Sequence, residues 1–286
     1  MHHGRRVLAP AGGRPVTSAE ARSALAKVPA VTLGFWVIKI LATTLGETAG
    51  DTVSMSWLGE TTQDAPTSFW QGGCLIGTAI FGAALAVLVF LQVGARRFNP
   101  WLYWATIVAS TTAGTTLADL TTRSFGIGYP GGSILLLSLV LMSLYAWQRD
   151  LGSIAVGSVQ GPRPELYYWV TITFSQTLGT ALGDWIADGP LGYLGSALIF
   201  GVLLAILAVA WWRTALSRVA LFWAAFVLTR PLGAVLGDFL DKPVASGGLE
   251  LSRVGATAVL GIAMVALIAL LPQRPSAVPP LADGAK

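Results

Sequence analysis

One unit is written four times in this chain. An aromatic residue and a tryptophan come first, a glycine follows ten residues after the Trp, and four residues later comes a small residue with an aspartate behind it. The copies read Phe35-Trp36, Gly46, Gly50-Asp51; Tyr103-Trp104, Gly114, Ala118-Asp119; Tyr168-Trp169, Gly179, Gly183-Asp184; and Phe222-Trp223, Gly233, Gly237-Asp238. A fourfold repeat restricts the fold to an array of similar units. Each copy lies in an apolar stretch, so a carboxylate kept in all four needs a physical reason.

The chain is 54% hydrophobic and only 11% charged, against roughly 25% charged in soluble domains. This composition predicts an all-α integral membrane protein. The net charge of +4 is no sign of nucleic acid, because the basic residues flank apolar runs. Cys74 is the sole cysteine and His2 and His3 the sole histidines. Neither a disulfide within one chain nor a membrane-embedded histidine ligand is therefore available. No cleavable signal peptide is expected, and residues 1–27 and 272–286 read as flexible tails.

About 20 apolar residues cross the hydrocarbon core as a helix. Eight such runs are expected: 29–50, 70–94, 100–120, 131–148, 165–187, 190–212, 217–239 and 252–271. The motif falls on every second one. The transmembrane domain, 28–271, thus divides into two-helix repeats at about 28–97, 98–150, 163–213 and 217–271. One side holds Arg5, Arg6, Arg14, Arg22, Lys27, Arg96, Arg97, Arg149, Arg163, Arg213, Arg218, Arg274 and Lys286, and the other only Arg123, Lys242 and Arg253. The bias predicts cytoplasmic termini. It also predicts four parallel repeats about an axis along the membrane normal.

Gly46 with Gly50, Gly114 with Ala118, Gly179 with Gly183, and Gly233 with Gly237 share helix faces, where small residues let backbones approach closely. The aromatic-Trp pairs lie about 22 Å from the aspartates along the helix and read as an interfacial belt or, alternatively, an inner vestibule. Asp51, Asp119, Asp184 and Asp238 sit near helix C-terminal ends, where the dipole disfavours carboxylates. They read either as local caps and loop ligands or as a cation-selecting cluster around one cavity.

The repeats differ at defined places. Three residues before the first motif glycine stand Thr43, Thr111, Gln176 and Arg230. One after it stand Glu47, Thr115, Thr180 and Ala234. Seven before it stand Lys39, Ile107, Ile172 and Phe226. Equal positions on parallel helices lie at equal depth, which opens a Glu47–Arg230 pair across repeats. Lys39 and Arg230 are the two basic residues inside spans, and ionisable groups there face a cavity or a partner. Thr43, Thr115, Gln176 and Thr180 would provide neutral polar lining, although threonine hydroxyls also bond back to their own helix.

The fourfold aromatic-Trp…Gly-x-x-x-Gly-Asp unit resembles a family of bacterial inner-membrane proteins labelled uncharacterised and membrane-anchored, whose repeat is a domain of unknown function. The resemblance covers about 29–271. It implies an inner-membrane location and a repeat architecture, and no activity. A looser similarity is to the calcium/manganese–proton exchangers, whose signature is Glu-x-Gly-Asp-Lys/Arg-Thr/Ser. Here Glu47-Thr48-Ala49-Gly50-Asp51-Thr52 has one more residue between Glu and Gly, and no basic residue follows Asp51. That similarity implies a type of site, not membership.

The function expected is secondary transport or export of a small cation, such as a divalent metal like manganese, with proton coupling open. Asp51, Asp119, Asp184 and Asp238 are the expected outer, cation-attracting shell and Glu47 the principal coordinating or proton-exchanging acid, with Glu47 and Asp51 the candidate metal ligands and Lys39 and Arg230 the charges that neutralise Glu47 when empty. One alternative is an anion or small organic solute held by Lys39 and Arg230. Another is a membrane scaffold packed through its glycines. No catalysis is expected: the Gly-x-Gly-Asp of intramembrane aspartyl proteases is absent, Thr48, Thr116, Ala181 and Val235 standing at its first position. No cofactor is expected. The partners are lipid and a small ion or solute, with no nucleic acid; a homo-oligomer is left open.

Overall fold

A chain in hydrocarbon must satisfy its backbone polar groups internally, and helices do so within one segment. The computed structural model describes residues 27–60 and 72–276. Among them are eight α-helices: α1 (Leu33–Asp51), α2 (Gly73–Gly94), α3 (Pro100–Asp119), α4 (Gly128–Leu151), α5 (Pro162–Ala187), α6 (Gly192–Arg213), α7 (Arg218–Asp241) and α8 (Arg253–Leu270). They lie where the apolar runs predict. Their starts follow local chemistry. Thr32, Asn99, Ser217 and Ser252 each accept a bond from a backbone N–H of the first turn, which satisfies an orphan donor. Pro100 and Pro162 sit in the opening turns of α3 and α5, where the missing N–H costs nothing.

The motif helices α1, α3, α5 and α7 form a closed ring, each packed on the next and α7 on α1. The plainer helices cover it: α2 on α3, α4 on α5, α6 on α7 and α8 on α1. Five helices (α2, α4, α6, α7 and α8) are long and apolar enough to cross a membrane. Helices α1, α3 and α5 carry most of the buried threonines, with Lys39, Glu47 and Gln176, and α7 adds Thr229 and Arg230. Their polar side chains point into the ring, and the outer helices present Phe90, Leu198, Ile262 and Leu270 outward.

The glycine face of each motif helix receives the variable residues of the next. A Cβ on Gly46 would collide with Thr111, on Gly179 with Arg230, and on Gly233 with Thr43; on Gly114 it would lie 2.9 Å from Gln176 Cβ. At the second small position, a Cβ on Gly50 would come within 2.9 Å of Thr115, on Gly183 within 3.2 Å of Ala234 Cβ, and on Gly237 within 2.7 Å of Glu47 Cβ. The positions at which the repeats disagree are thus the residues seated on the neighbour's glycines.

The aromatic pairs also interlock in cyclic order. Phe35 lies 5.5 Å from Trp104, Tyr103 5.7 Å from Trp169, Tyr168 6.2 Å from Trp223, and Phe222 5.8 Å from Trp36, between ring centroids. The Tyr103 and Tyr168 hydroxyls meet at 2.6 Å. Trp104, Trp169 and Trp223 are buried. The belt expectation is therefore corrected: these rings plug one end of the ring, because each finds a tilted or edge-on partner on the next helix.

The expected tails meet the described residues at 27–30 and 272–276. There the Ala30 N–H donates to the Arg274 carbonyl at 2.8 Å, and the Ser276 N–H to the Val28 carbonyl at 2.8 Å. Lys27 is buried, paired with Glu165 at 2.9 Å and donating to the Val93 carbonyl at 2.8 Å. Residues 1–26 and 277–286, which hold the rest of the expected tails, lie outside the described residues, as do 61–71.

Valine at Gly46 or Gly233 forces apart two helices of the ring, and overpacking costs about 1–3 kcal/mol or more. Alanine at Gly82 or Gly201, which have open space around them, shifts stability by under about 0.5 kcal/mol. Thermal melts of purified full-length variants in detergent check both.

Candidate functional site

Because the glycines bring neighbouring helices so close, the charged residues of repeats one and four face each other. Arg230 of α7 is fully buried. Its guanidinium reaches Glu47 Oε2 at 2.9 Å, Thr115 Oγ1 at 2.6 Å, and the carbonyls of Thr43 and Thr111 at 3.1 and 3.3 Å. Thr115 Oγ1 also lies 3.3 Å from Glu47 Oε2. A planar fork suits such convergent acceptors. The pair inferred from equal depth is present. Pro231 follows Arg230 inside α7 and has no N–H for the Val227 carbonyl.

Lys39 lies apart from this pair. Its ammonium donates to Gln176 Oε1 at 3.4 Å and sits 4.2 Å from the Phe226 ring centroid. No carboxylate pairs with it among the described residues. The expectation that it neutralises Glu47 is corrected: Phe226, one turn before Arg230 on α7, holds the ammonium by its π face, while Arg230 occupies the carboxylate. Gln176 Nε2, buried beside it, has no hydrogen-bond partner among the described residues.

The four aspartates gather at the end opposite the aromatic plug, tied in two pairs. Arg123 bridges Asp119 at 3.1 Å and Asp184 at 3.4 Å. Lys242 bridges Asp51 at 2.5 Å and Asp238 at 3.1 Å. Capping does not explain Asp51 and Asp119: neither side chain caps the π-helical turns that follow them, Thr52–Trp57 and Leu120–Ser124. Two carboxylate groups have oxygens within 4.8 Å of one another, Glu47 with Asp184 and Asp238, and Asp51 with Asp238 and Asp241. All are buried, and Asp51 Oδ1, Asp184 Oδ1 and Asp241 Oδ1 have no hydrogen-bond partner among the described residues. Glu47 thus groups with Asp184 and Asp238, and Asp51 with Asp238 and Asp241. Lys242 draws Asp51 toward the end of α7, and Arg230 holds Glu47 deeper.

Arg123, Lys242, Asp241 and Arg253 are site residues that sequence reasoning did not assign. Arg253 pairs with Asp241 at 3.2 Å. The available signal was spacing: Arg123 and Lys242 each lie four residues after a motif aspartate, on the same helical face. Of the expected lining, Thr115 reaches Glu47. Thr180 bonds back to the Gln176 carbonyl at 3.4 Å, and Thr43 to Ile40 at 2.7 Å and across to Thr229 at 3.3 Å.

Among the described residues at this site, the six carboxylates Glu47, Asp51, Asp119, Asp184, Asp238 and Asp241 outnumber the four cations that pair with them, Arg123, Arg230, Lys242 and Arg253. A buried excess of negative charge is costly, and protons or a bound cation relieve it. Arg230→Met leaves Glu47 uncompensated and costs about 3–5 kcal/mol. The double variant Glu47→Gln/Arg230→Met recovers part of that loss. Denaturant titration in mixed micelles measures the cycle.

A family model described as Repeat of Unknown Function (DUF347) matches residues 34–98, 102–150, 167–217 and 221–272. No curated protein and no solved structure matches the chain. The four matched segments are the four two-helix units of the ring and its cover. The chain belongs to the DUF347 repeat family.

Proposed function

We propose that this chain is an eight-span protein of the bacterial inner membrane that moves a small hard cation along the axis of its ring. In this reading the four repeats run parallel about an axis along the membrane normal. The meeting of all four aromatic pairs at one end and all four aspartates at the other supports it. The carboxylate end faces outward. Arg123, Lys242 and Arg253, the basic residues at that end, are bound to carboxylates. The basic residues of the loops and tails at the aromatic end then set the orientation.

The observation that carries the reading is the buried triad of Glu47, Asp184 and Asp238, from three different repeats, with ligand oxygens within 4.8 Å of one another. Oxygen-only ligands suit hard divalent cations such as manganese, magnesium or calcium. In the ion-free state Arg230 compensates Glu47, and ion binding exchanges part of that interaction for the metal. The aromatic plug closes the path on one side and the Lys242 and Arg123 bridges close it on the other. Transport then requires the two closures to open alternately.

A second reading rests on Lys39, a buried cation that, among the described residues, has no carboxylate partner and lies beside Gln176, whose Nε2 has no hydrogen-bond partner there. Such donors suit an anionic or carbonyl-bearing solute. Under that reading Lys39→Gln abolishes transport, while Glu47 and the aspartates affect only folding.

Manganese flux into proteoliposomes tests the first reading. Glu47→Gln, Asp184→Asn and Asp238→Asn each lower flux at least about tenfold, as expected when a metal ligand is lost. Asp150→Asn, which removes only the exposed pair with Arg163, leaves it unchanged. Flux of manganese, magnesium and calcium that is the same in all three site variants and the wild type sinks the cation reading.

A further inference from the structure

We infer that Asp51, Asp238 and Asp241 form a second cation site at the mouth of the path, which the Lys242 ammonium fills in this conformation and which an incoming divalent cation takes over by expelling it. The inference deepens the cation-transport reading and rests on it for the route beyond the mouth.

The geometry of Lys242 is that of a tethered ion. Its Nζ lies 2.5 Å from Asp51 Oδ2, 3.1 Å from Asp238 Oδ1 and 3.8 Å from Met55 Sδ. The three carboxylates around it have oxygens within 4.8 Å of one another. The ammonium leaves this site underfilled: Asp51 Oδ1 and Asp241 Oδ1 are buried with no hydrogen-bond partner among the described residues. Arg253 touches Asp241 only through its other oxygen. A single charge on a flexible four-carbon stem is a compact occupant. A divalent ion adds a second charge and takes six or more oxygen ligands, so it competes for the same oxygens.

Lys242 also has somewhere to go. It is the residue after α7, with extended backbone, followed by Pro243, a short 3-10 turn at Val244–Ser246 and Gly247 at φ 87°. Residues 243–247 are exposed, and the Lys242 side chain retains 12% exposure. A rotation of its side chain carries the ammonium out to water without breaking the helix. Asp238 belongs to both carboxylate groups. Release of Lys242 therefore frees a carboxylate that the mouth shares with the deeper triad of Glu47 and Asp184. The same movement that admits an ion connects the mouth to the inner site.

The experiment uses the full-length protein in detergent, with manganese as the probe and two readouts. Free manganese measured by electron paramagnetic resonance gives affinity. Acylation of Lys242 by an amine-reactive ester, read by mass spectrometry, reports its release. Manganese raises Lys242 acylation at least about fivefold in the wild type, a difference of about 1 kcal/mol in the release equilibrium. Asp241→Asn abolishes the rise, and Glu47→Gln, which alters only the deeper triad, retains it. Lys242→Gln binds manganese about tenfold more tightly, and adding Asp241→Asn removes the gain. Arg123→Gln takes the same charge from the other aspartate pair and retains the acylation response, which separates competition from a general change of potential. Lys242 acylation that stays flat or falls while manganese saturates the protein overturns the inference, as does a folded Lys242→Gln variant with no gain in affinity. A manganese-driven rise in acylation in a protein that carries no flux keeps the mouth site and sinks the transport reading.

Discussion

The structure depends on the close approach of four helices at their glycines. Gly46, Gly179 and Gly233 each lie against the side chain of the next repeat with no room for a methyl group. This contact sets the cyclic order of the ring and the depth at which each side chain enters it. Small residues serve this purpose in membranes because packing and hydrogen bonding, in place of the hydrophobic effect, hold helices together there. The contact also gives the divergent positions their place. Thr43, Thr111, Gln176 and Arg230 are the residues pressed onto the glycine faces, so a change of type there alters the interior directly.

Charge is distributed unequally on this repeated scaffold. Repeat one contributes Lys39 and Glu47, and repeat four contributes Arg230. Repeats two and four carry Arg123 and Lys242 four residues after their aspartates, where repeats one and three carry Met55 and Asp188. Two cations thus tie four aspartates in adjacent pairs, and a third holds Glu47 one layer deeper. Isolated buried ions are costly, and this network compensates most of its own charge.

Much of this was legible beforehand at the level of helices. Apolar runs place all eight helices, five of them long and apolar enough to cross a membrane, and Gly-x-x-x-Gly spacing marks the packing faces. The matching motif positions of Glu47 and Arg230 also anticipated their contact. Other assignments failed for a common reason. The aromatic pairs suit an interface as well as an interior until their partners on the next helix are known. Asp51 and Glu47 share a helix face, yet Lys242 and Arg230 draw them into different groups. Lys27, taken as part of a flexible tail, is buried against Glu165 of a helix more than a hundred residues away.

What the sequence by itself determined is the repeat, the helices and the faces by which they approach, since periodicity and hydropathy are properties of short segments. What only the tertiary structure decided is the partner of each charge on another repeat: Arg123 with Asp184, Lys242 with Asp51, Lys39 with Gln176 and Phe226. The contacts of Arg123 with Asp119 and of Lys242 with Asp238 are already written in the four-residue spacing. The others depend on how the ring packs, because a contact of a few ångströms between repeats is not encoded within a single helix.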